Sequence, residues 1–194
     1  EKSIKDFYQG SGFEKNFSKE SKIIWTGNPC AIPEENRQVT VEKKHAAQKL
    51  FGLDPDWPTV FVIGGGSGAL GLNQVLSHNL PELLKVAQVI HSAGKGRMIP
   101  PQFNSPQLHD RYHQFEFIDQ VDQAYTAADI VIARAGIGTI TELSILGKIS
   151  IIVPMPNSHQ EWNAKFLYDQ DAAIIVDQSD ITPELLAKLV RKIL

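Results

Sequence analysis

The chain has 194 residues, which suits one domain or one lobe of a larger protein, and a chain of this size buries roughly 70% of its unfolded surface without disulfide or metal staples. A formal net charge of −3 leaves no basic field for nucleic acid, and a single cysteine, Cys30, forbids an internal disulfide. No apolar run approaches the roughly 20 residues of a membrane span, so the sequence predicts a globular, cytoplasmic domain with no membrane anchor of its own.

Residues 1–22 are polar and aperiodic and read as a linker or the end of a preceding lobe. The start at Glu1 instead of Met carries the same expectation of a longer protein. The domain proper is expected over 23–194. Ile23-Ile24-Trp25 reads as a short strand running into Thr26-Gly27-Asn28-Pro29. Thr40 is placed to cap a helix over 41–51, with Val41, Ala46, Ala47 and Leu50 as its apolar side. Strand and helix then alternate. Strands are predicted at 59–63, 86–91, 115–118, 130–133, 150–153 and 172–176. Helices are predicted at 68–78 (inner face Leu72, Val75, Leu76), 121–127, 139–146 and 160–168. Thr182-Pro183-Glu184 supplies a cap, a first-turn proline and an acid for a closing helix to Leu194. Residues 97–114 read as an irregular, proline-bearing surface excursion. Apolar strands alternating with helices predict an α/β fold, a doubly wound, Rossmann-like parallel sheet covered on both faces. Ligands of such folds lie beyond the carboxyl ends of the strands.

Two glycine turns lie at that edge. Gly64-Gly65-Gly66-Ser67-Gly68-Ala69 and Arg134-Ala135-Gly136-Ile137-Gly138-Thr139 each follow an apolar run and open a helix. Helix N-termini carry unpartnered N–H groups and the positive end of the macrodipole, so each turn is suited to an anion, and the two together to one diphosphate. A nucleotide or nucleotide sugar is the expected ligand. Gly64-x-Gly66-x-x-Ala69 also matches the alanine form of the dinucleotide fingerprint, yet the next strand ends at His91-Ser92-Ala93-Gly94-Lys95 with no acid for the ribose, which weakens a nicotinamide reading.

Arg134 ends a buried strand, where an unpaired guanidinium is costly. It is expected to face an anion or to pair with Glu142 or Asp129. Glu142 can accept two hydroxyl hydrogen bonds, as a ribose diol requires. Asn157-Ser158-His159-Gln160-Glu161-Trp162-Asn163 is a polar loop entering a helix. Gln160 and Asn163 suit sugar hydroxyls, while Asn157 or Ser158 is placed to cap. Asp54-Pro55-Asp56 precedes its strand, at the wrong edge of the sheet for a metal clamp, and reads as a turn. His109 and His113 lack a third ligand nearby, and no metal site is expected.

In order along the chain, Thr26-Gly27-Asn28-Pro29, the Gly64–Ala69 turn with Asn73, His91-Ser92-Ala93-Gly94, Phe117-Ile118-Asp119, Ala128-Asp129, Arg134-Ala135-Gly136, Thr141-Glu142, Pro154, and Gln160 with Trp162-Asn163-Ala164 resemble the C-terminal lobe of the N-acetylglucosaminyltransferases that convert lipid I to lipid II in peptidoglycan synthesis. The resemblance covers roughly 23–180. It implies the donor-binding half of a two-lobed GT-B enzyme with UDP-GlcNAc as donor and no cofactor. It implies that the Gly64–Ala69 turn and the helix after Arg134, with Thr139, face the diphosphate, Glu142 the ribose, and Gln160 and Asn163, with His159 beside them, the GlcNAc. His91 falls in the same donor-side set. The acceptor, a polyprenyl-diphosphate-linked sugar, and the catalytic base are implied to belong to the N-terminal lobe. The full-length enzyme would then be peripheral on the cytoplasmic face of the membrane, and this chain alone inactive. Ala31, Gly66, Ser67 and His159 depart from the family's usual residues. Two alternatives stay open: a donor subunit of a two-chain GlcNAc transferase acting on another polyprenyl-linked acceptor, and a UDP-GlcNAc 2-epimerase-like GT-B enzyme.

Overall fold

The computed structural model describes residues 28–30, 32–65, 69–99 and 106–194. The expected linker, the Ile23–Trp25 strand and Thr26-Gly27 lie outside the described residues, as do Ala31, Gly66, Ser67 and Gly68. In chain order the elements are α1 (Val41–Leu50), β1 (Thr59–Ile63), α2 (Leu70–Leu83), β2 (Gln88–Ser92), α3 (Pro106–His109), β3 (Tyr112–Phe115), α4 (Val121–Ala127), β4 (Ile130–Ala133), α5 (Ile137–Leu146), β5 (Ile149–Ile152), α6 (Gln160–Asp169), β6 (Ile174–Ile175) and α7 (Leu185–Ile193).

The strands form one parallel sheet in the order β3-β2-β1-β4-β5-β6. Side chains of a strand alternate between faces, and the two cores follow that parity. Phe61, Ile90, Val131 and Ile152 pack with Ala47, Tyr125, Leu143 and Leu167 from α1, α4, α5 and α6. Val60, Val62, Ile132 and Ile151 pack with Leu72, Leu76 and Leu80 of α2 and Leu186 and Val190 of α7. Burial on both faces explains why these strands read as largely apolar runs.

The elements differ from the sequence expectation where polarity or proline misleads. β3 lies three residues earlier than predicted, inside the segment expected to be irregular. Its residues Tyr112, His113 and Gln114 are only half-buried at the sheet's edge, so they give no apolar run. The second strand runs 88–92 instead of 86–91, and the last is only Ile174–Ile175. α2 continues past His78 and through Pro81 to Leu83. A proline within a helix costs about 3 kcal/mol, and full burial of Leu83 and Leu84 at about 1.5–3 kcal/mol each offsets it. α7 begins at Leu185 with Glu184 at its N-cap, so Thr182 and Pro183 precede the helix instead of opening it. Thr40 caps α1 as expected, its hydroxyl accepting from Lys43 N at 3.3 Å. The face of α1 is rotated, however. Val41, Ala46 and Leu50 are exposed, while Ala47 and Gln48 are buried. Gln48 donates to the Thr59 hydroxyl at 3.1 Å, and Lys44 pairs with Asp129, so polar anchors set this face.

Candidate functional site

β1 and β4 are neighbours, with Ile63 opposite Ala133, so the two glycine turns leave the carboxyl edge roughly 4.8 Å apart. Between them the chain order reverses, β1 leading outward to β2 and β4 to β5, which is the switch point where such sheets take ligands. Gly64 is required by close approach: a Cβ there would sit 2.5 Å from Ala69 Cβ and 2.6 Å from Ala69 N. Gly65 holds φ at +90°, open to glycine at little cost. The N-caps of α2 and α5 are Ala69 and Gly136, and neither helix has a side-chain cap. The first N–H groups of both helices are therefore left to water or a ligand. Gly136 is half-buried, Ile137 and Gly138 are exposed, and Thr139 is half-buried at this end of α5, while Ala135 is fully buried.

By strand parity Arg134 emerges on the α2 and α7 side. It is 6% exposed. Its Nη1 donates to Val153 O at 3.1 Å and Pro154 O at 2.9 Å, and Nη2 donates to Gln178 Oε1. Nη2 also lies 3.2 Å from where a Cβ on Gly71, in the first turn of α2, would stand. Neither ion pair open to it in the sequence forms. Asp129 pairs with Lys44, and Glu142 accepts from the Tyr125 hydroxyl at 2.8 Å. Every partner of Arg134 among the described residues is neutral. Burial draws its pKa below the usual guanidinium value, yet an arginine stays charged in a protein. Among the described residues no carboxylate pairs with this buried cation, which lies beside the first turn of α2.

Glu142 is half-buried on α5. Tyr125 is fully buried, and burial, reinforced by the Glu142 carboxylate, pushes its hydroxyl well above the usual tyrosine range, so it remains a donor. Gln160 and Asn163 frame the other side. Gln160 Oε1 accepts from Met155 N at 3.1 Å, and Asn163 Nδ2 donates to Ala135 O at 2.9 Å, bracing the Arg134–Gly136 turn from α6. Ser158 takes the capping role, its hydroxyl accepting from Gln160 N at 3.2 Å. Asn157 sits at φ +56° and donates its N–H to Glu161 Oε1 at 2.9 Å. His159, at the N-cap of α6, is exposed.

His91 is sealed within the fold. It is 1% exposed, and both ring nitrogens are engaged, Nδ1 with the Tyr112 hydroxyl at 2.8 Å and Nε2 with Asn73 Oδ1 at 3.1 Å. Asn73 Nδ2 donates to Ala93 O at 2.8 Å and Arg97 O at 3.1 Å, which fixes the amide orientation and puts the imidazole proton on Nε2. Burial depresses the pKa of His91 to about 4. The ring therefore supports the loop after β2 from below. Sequence reasoning missed Gln178 and Tyr125. Gln178 lies in a polar stretch without periodicity, and Tyr125 reads as one more apolar residue of α4. Asp54-Pro55-Asp56 is a turn, with Asp56 N donating to Asp54 Oδ1 at 2.9 Å. Among the described residues no group of three His, Cys, Asp or Glu is placed to hold a metal, and no helix is long and apolar enough to cross a membrane.

Residues 59–194 match the glycosyltransferase family 28 C-terminal domain. The chain belongs to this family. A UDP-N-acetylglucosamine--N-acetylmuramyl-(pentapeptide) pyrophosphoryl-undecaprenol N-acetylglucosamine transferase of Paenarthrobacter aurescens is 37% identical over 144 residues, covering 73% of this chain and 39% of that protein. The Parabacteroides distasonis protein of the same name is 34% identical over 185 residues, covering 90% of this chain and 48% of that protein. The crystal structure of Acinetobacter baumannii MurG superposes with a TM-score of 0.60 at 31% identity, over 77% of this chain and 44% of that one. A calicheamicin glycosyltransferase, at 14% identity and a TM-score of 0.58 over 72% of this chain and 34% of that one, shares the fold. The chain thus spans about half or less of the length of these relatives.

Proposed function

We propose that this domain is the donor-binding half of a transferase that moves GlcNAc from UDP-GlcNAc to lipid I, forming lipid II in peptidoglycan synthesis. The observation that carries the reading is Arg134, a buried cation whose partners among the described residues are all neutral, in the turn between β4 and α5 and beside the first turn of α2, both helices lacking a side-chain cap. That arrangement has the charge to take a diphosphate and to stabilise it as it leaves, with no metal needed in principle. In this reading the Gly64–Ala69 turn and Gly136–Thr139 hold the diphosphate and Glu142 holds the ribose diol. Gln160, with a free Nε2 amide among the described residues, and Asn163, with His159 beside them, face the GlcNAc. The names of the relatives and the family match support the choice of donor and acceptor. In this reading the acceptor site and catalytic base belong to the other half of the enzyme, and the whole protein works peripherally at the cytoplasmic face of the membrane.

Calorimetry on the 194-residue chain tests the donor half. UDP and UDP-GlcNAc are expected to bind weakly, since half of the cleft is lacking, and NAD⁺ not at all. Tighter binding of NAD⁺ than of UDP refutes the reading. Radiolabelled transfer to lipid I tests the rest. Holding the acceptor hydroxyl near the anomeric carbon supplies roughly 7–11 kcal/mol of the barrier, so the chain joined to its other half is expected to be active and the chain alone inactive. Robust transfer by the 194 residues alone refutes the divided site.

A further inference from the structure

We propose that Tyr125 is a positioning residue for the nucleotide site, its buried hydroxyl aiming the Glu142 carboxylate at the ribose. This rests on the reading of Glu142 given above. The Tyr125 ring is fully enclosed and packs edge-on against Phe61 of β1, with centroids 5.2 Å apart at 79°. A ring so held has no alternative rotamer within the core. Its hydroxyl donates to Glu142 Oε2 at 2.8 Å. A glutamate on a helix otherwise samples several rotamers and loses that freedom when it binds. Here the loss is taken at folding, before any ligand arrives.

The charge balance supports a ligand role over a purely structural one. No lysine, arginine or histidine among the described residues forms an ion pair with Glu142. An ionised carboxylate has about four lone-pair sites, and Tyr125 occupies one of them. A tyrosine hydroxyl also cannot take up a second ligand-facing role from a fully buried position. Among the described residues no donor takes the remaining acceptor sites, Oε1 above all, which leaves them to donors from outside. A vicinal diol offers two O–H donors at the spacing of the two carboxylate oxygens. A buried phenylalanine would fill the same space without needing a partner for a hydroxyl, so the hydroxyl is the part that acts on Glu142.

The test is calorimetry on the 194-residue chain with UDP and 2′,3′-dideoxyuridine diphosphate, for the unmodified protein, Tyr125→Phe and Glu142→Ala. The unmodified chain is expected to prefer UDP, and Glu142→Ala to abolish that preference. Tyr125→Phe is expected to weaken UDP binding about 3- to 10-fold, to leave the dideoxy nucleotide unaffected, and to melt close to the unmodified chain. A preference that survives Glu142→Ala overturns the ribose role of Glu142 itself. A preference lost in Glu142→Ala but intact in Tyr125→Phe overturns the role of Tyr125 alone. Equal losses for both nucleotides in Tyr125→Phe, accompanied by a lowered melting temperature, make the hydroxyl a packing group and overturn the proposal.

Discussion

Replacing Gly64 by alanine puts a methyl carbon 2.5 Å from Ala69 Cβ, 2.6 Å from Ala69 N and 3.1 Å from Ala69 Cα. Two of these atoms are backbone, so no side-chain rotation relieves the contact. To restore even a 3.0 Å separation the turn must open by about half an ångström, and Ala69 is the N-cap of α2, so the helix start moves with it. α2 is buried along Leu72, Leu76 and Leu80, and overpacking of this kind costs about 1–3 kcal/mol. For a chain of this length that is a fall in melting temperature of roughly 3–10 °C. Gly138→Ala is the internal control. It lies in the first turn of α5, where an added Cβ meets nothing within 4 Å, and alanine gains about 0.8–1 kcal/mol of helix propensity. Urea and thermal denaturation of both variants, with UDP titration, measure the contrast. Gly64→Ala is expected to lose stability and UDP affinity together, whereas Gly138→Ala keeps or gains stability. A Gly64→Ala protein with unchanged melting temperature and unchanged UDP affinity refutes the argument that close approach at this turn builds the anion site.

Further outcomes follow from individual groups. His91 has a folded pKa of about 4 against an ordinary 6.5, so the unfolded chain binds more protons between those values. Stability is then full above pH 6.5 and falls by about 3 kcal/mol as pH drops to 4. Urea midpoints across that range are expected to fall less in His91→Gln, and parallel curves for the two proteins would contradict the sealed-ring account. Asp129 accepts from Thr59 N at 2.9 Å and pairs with Lys44, so Asp129→Ala is expected to lose about 1–3 kcal/mol in denaturant titration without changing UDP affinity at the opposite edge. On the function proposed above, Gln160→Ala in the full-length protein is expected to lower activity with UDP-GlcNAc more than it weakens inhibition by UDP, and equal losses would remove Gln160 from the sugar.

The elements themselves were legible because their signals are local. Val60 and Ile132 sit in runs that are apolar but for Thr59, as strands buried on both faces tend to be, and Thr40 announces the helix it caps. The order of motifs along the chain also points to the family, and residues 59–194 match it. Local signals failed where a residue's environment contradicts its own preference. β3 is a polar edge strand. α2 passes through Pro81 because leucines beyond it are buried. α1 turns its polar Lys44 and Gln48 inward because Asp129 and Thr59 wait for them.

Which residues share a site was another matter. Sequence places a glycine turn after β1 and another after β4, but only the strand order β3-β2-β1-β4-β5-β6 makes those strands neighbours. Adjacency in a parallel sheet is a contact between segments 70 residues apart, as Val60 and Ile130 are, and nothing local encodes it. The same holds for charge. The sequence offered Arg134 two carboxylates, and the fold gave both away, Asp129 to Lys44 and Glu142 to Tyr125. It left the arginine with carbonyls and the amide of Gln178. His91 shows the converse: a motif histidine at the end of a strand, turned by the two-residue period of that strand toward α2 and closed off by Asn73 and Tyr112. The chain by itself determined that two glycine turns each open a helix after a buried strand. The packing of distant segments decided which side chains stand free beside them.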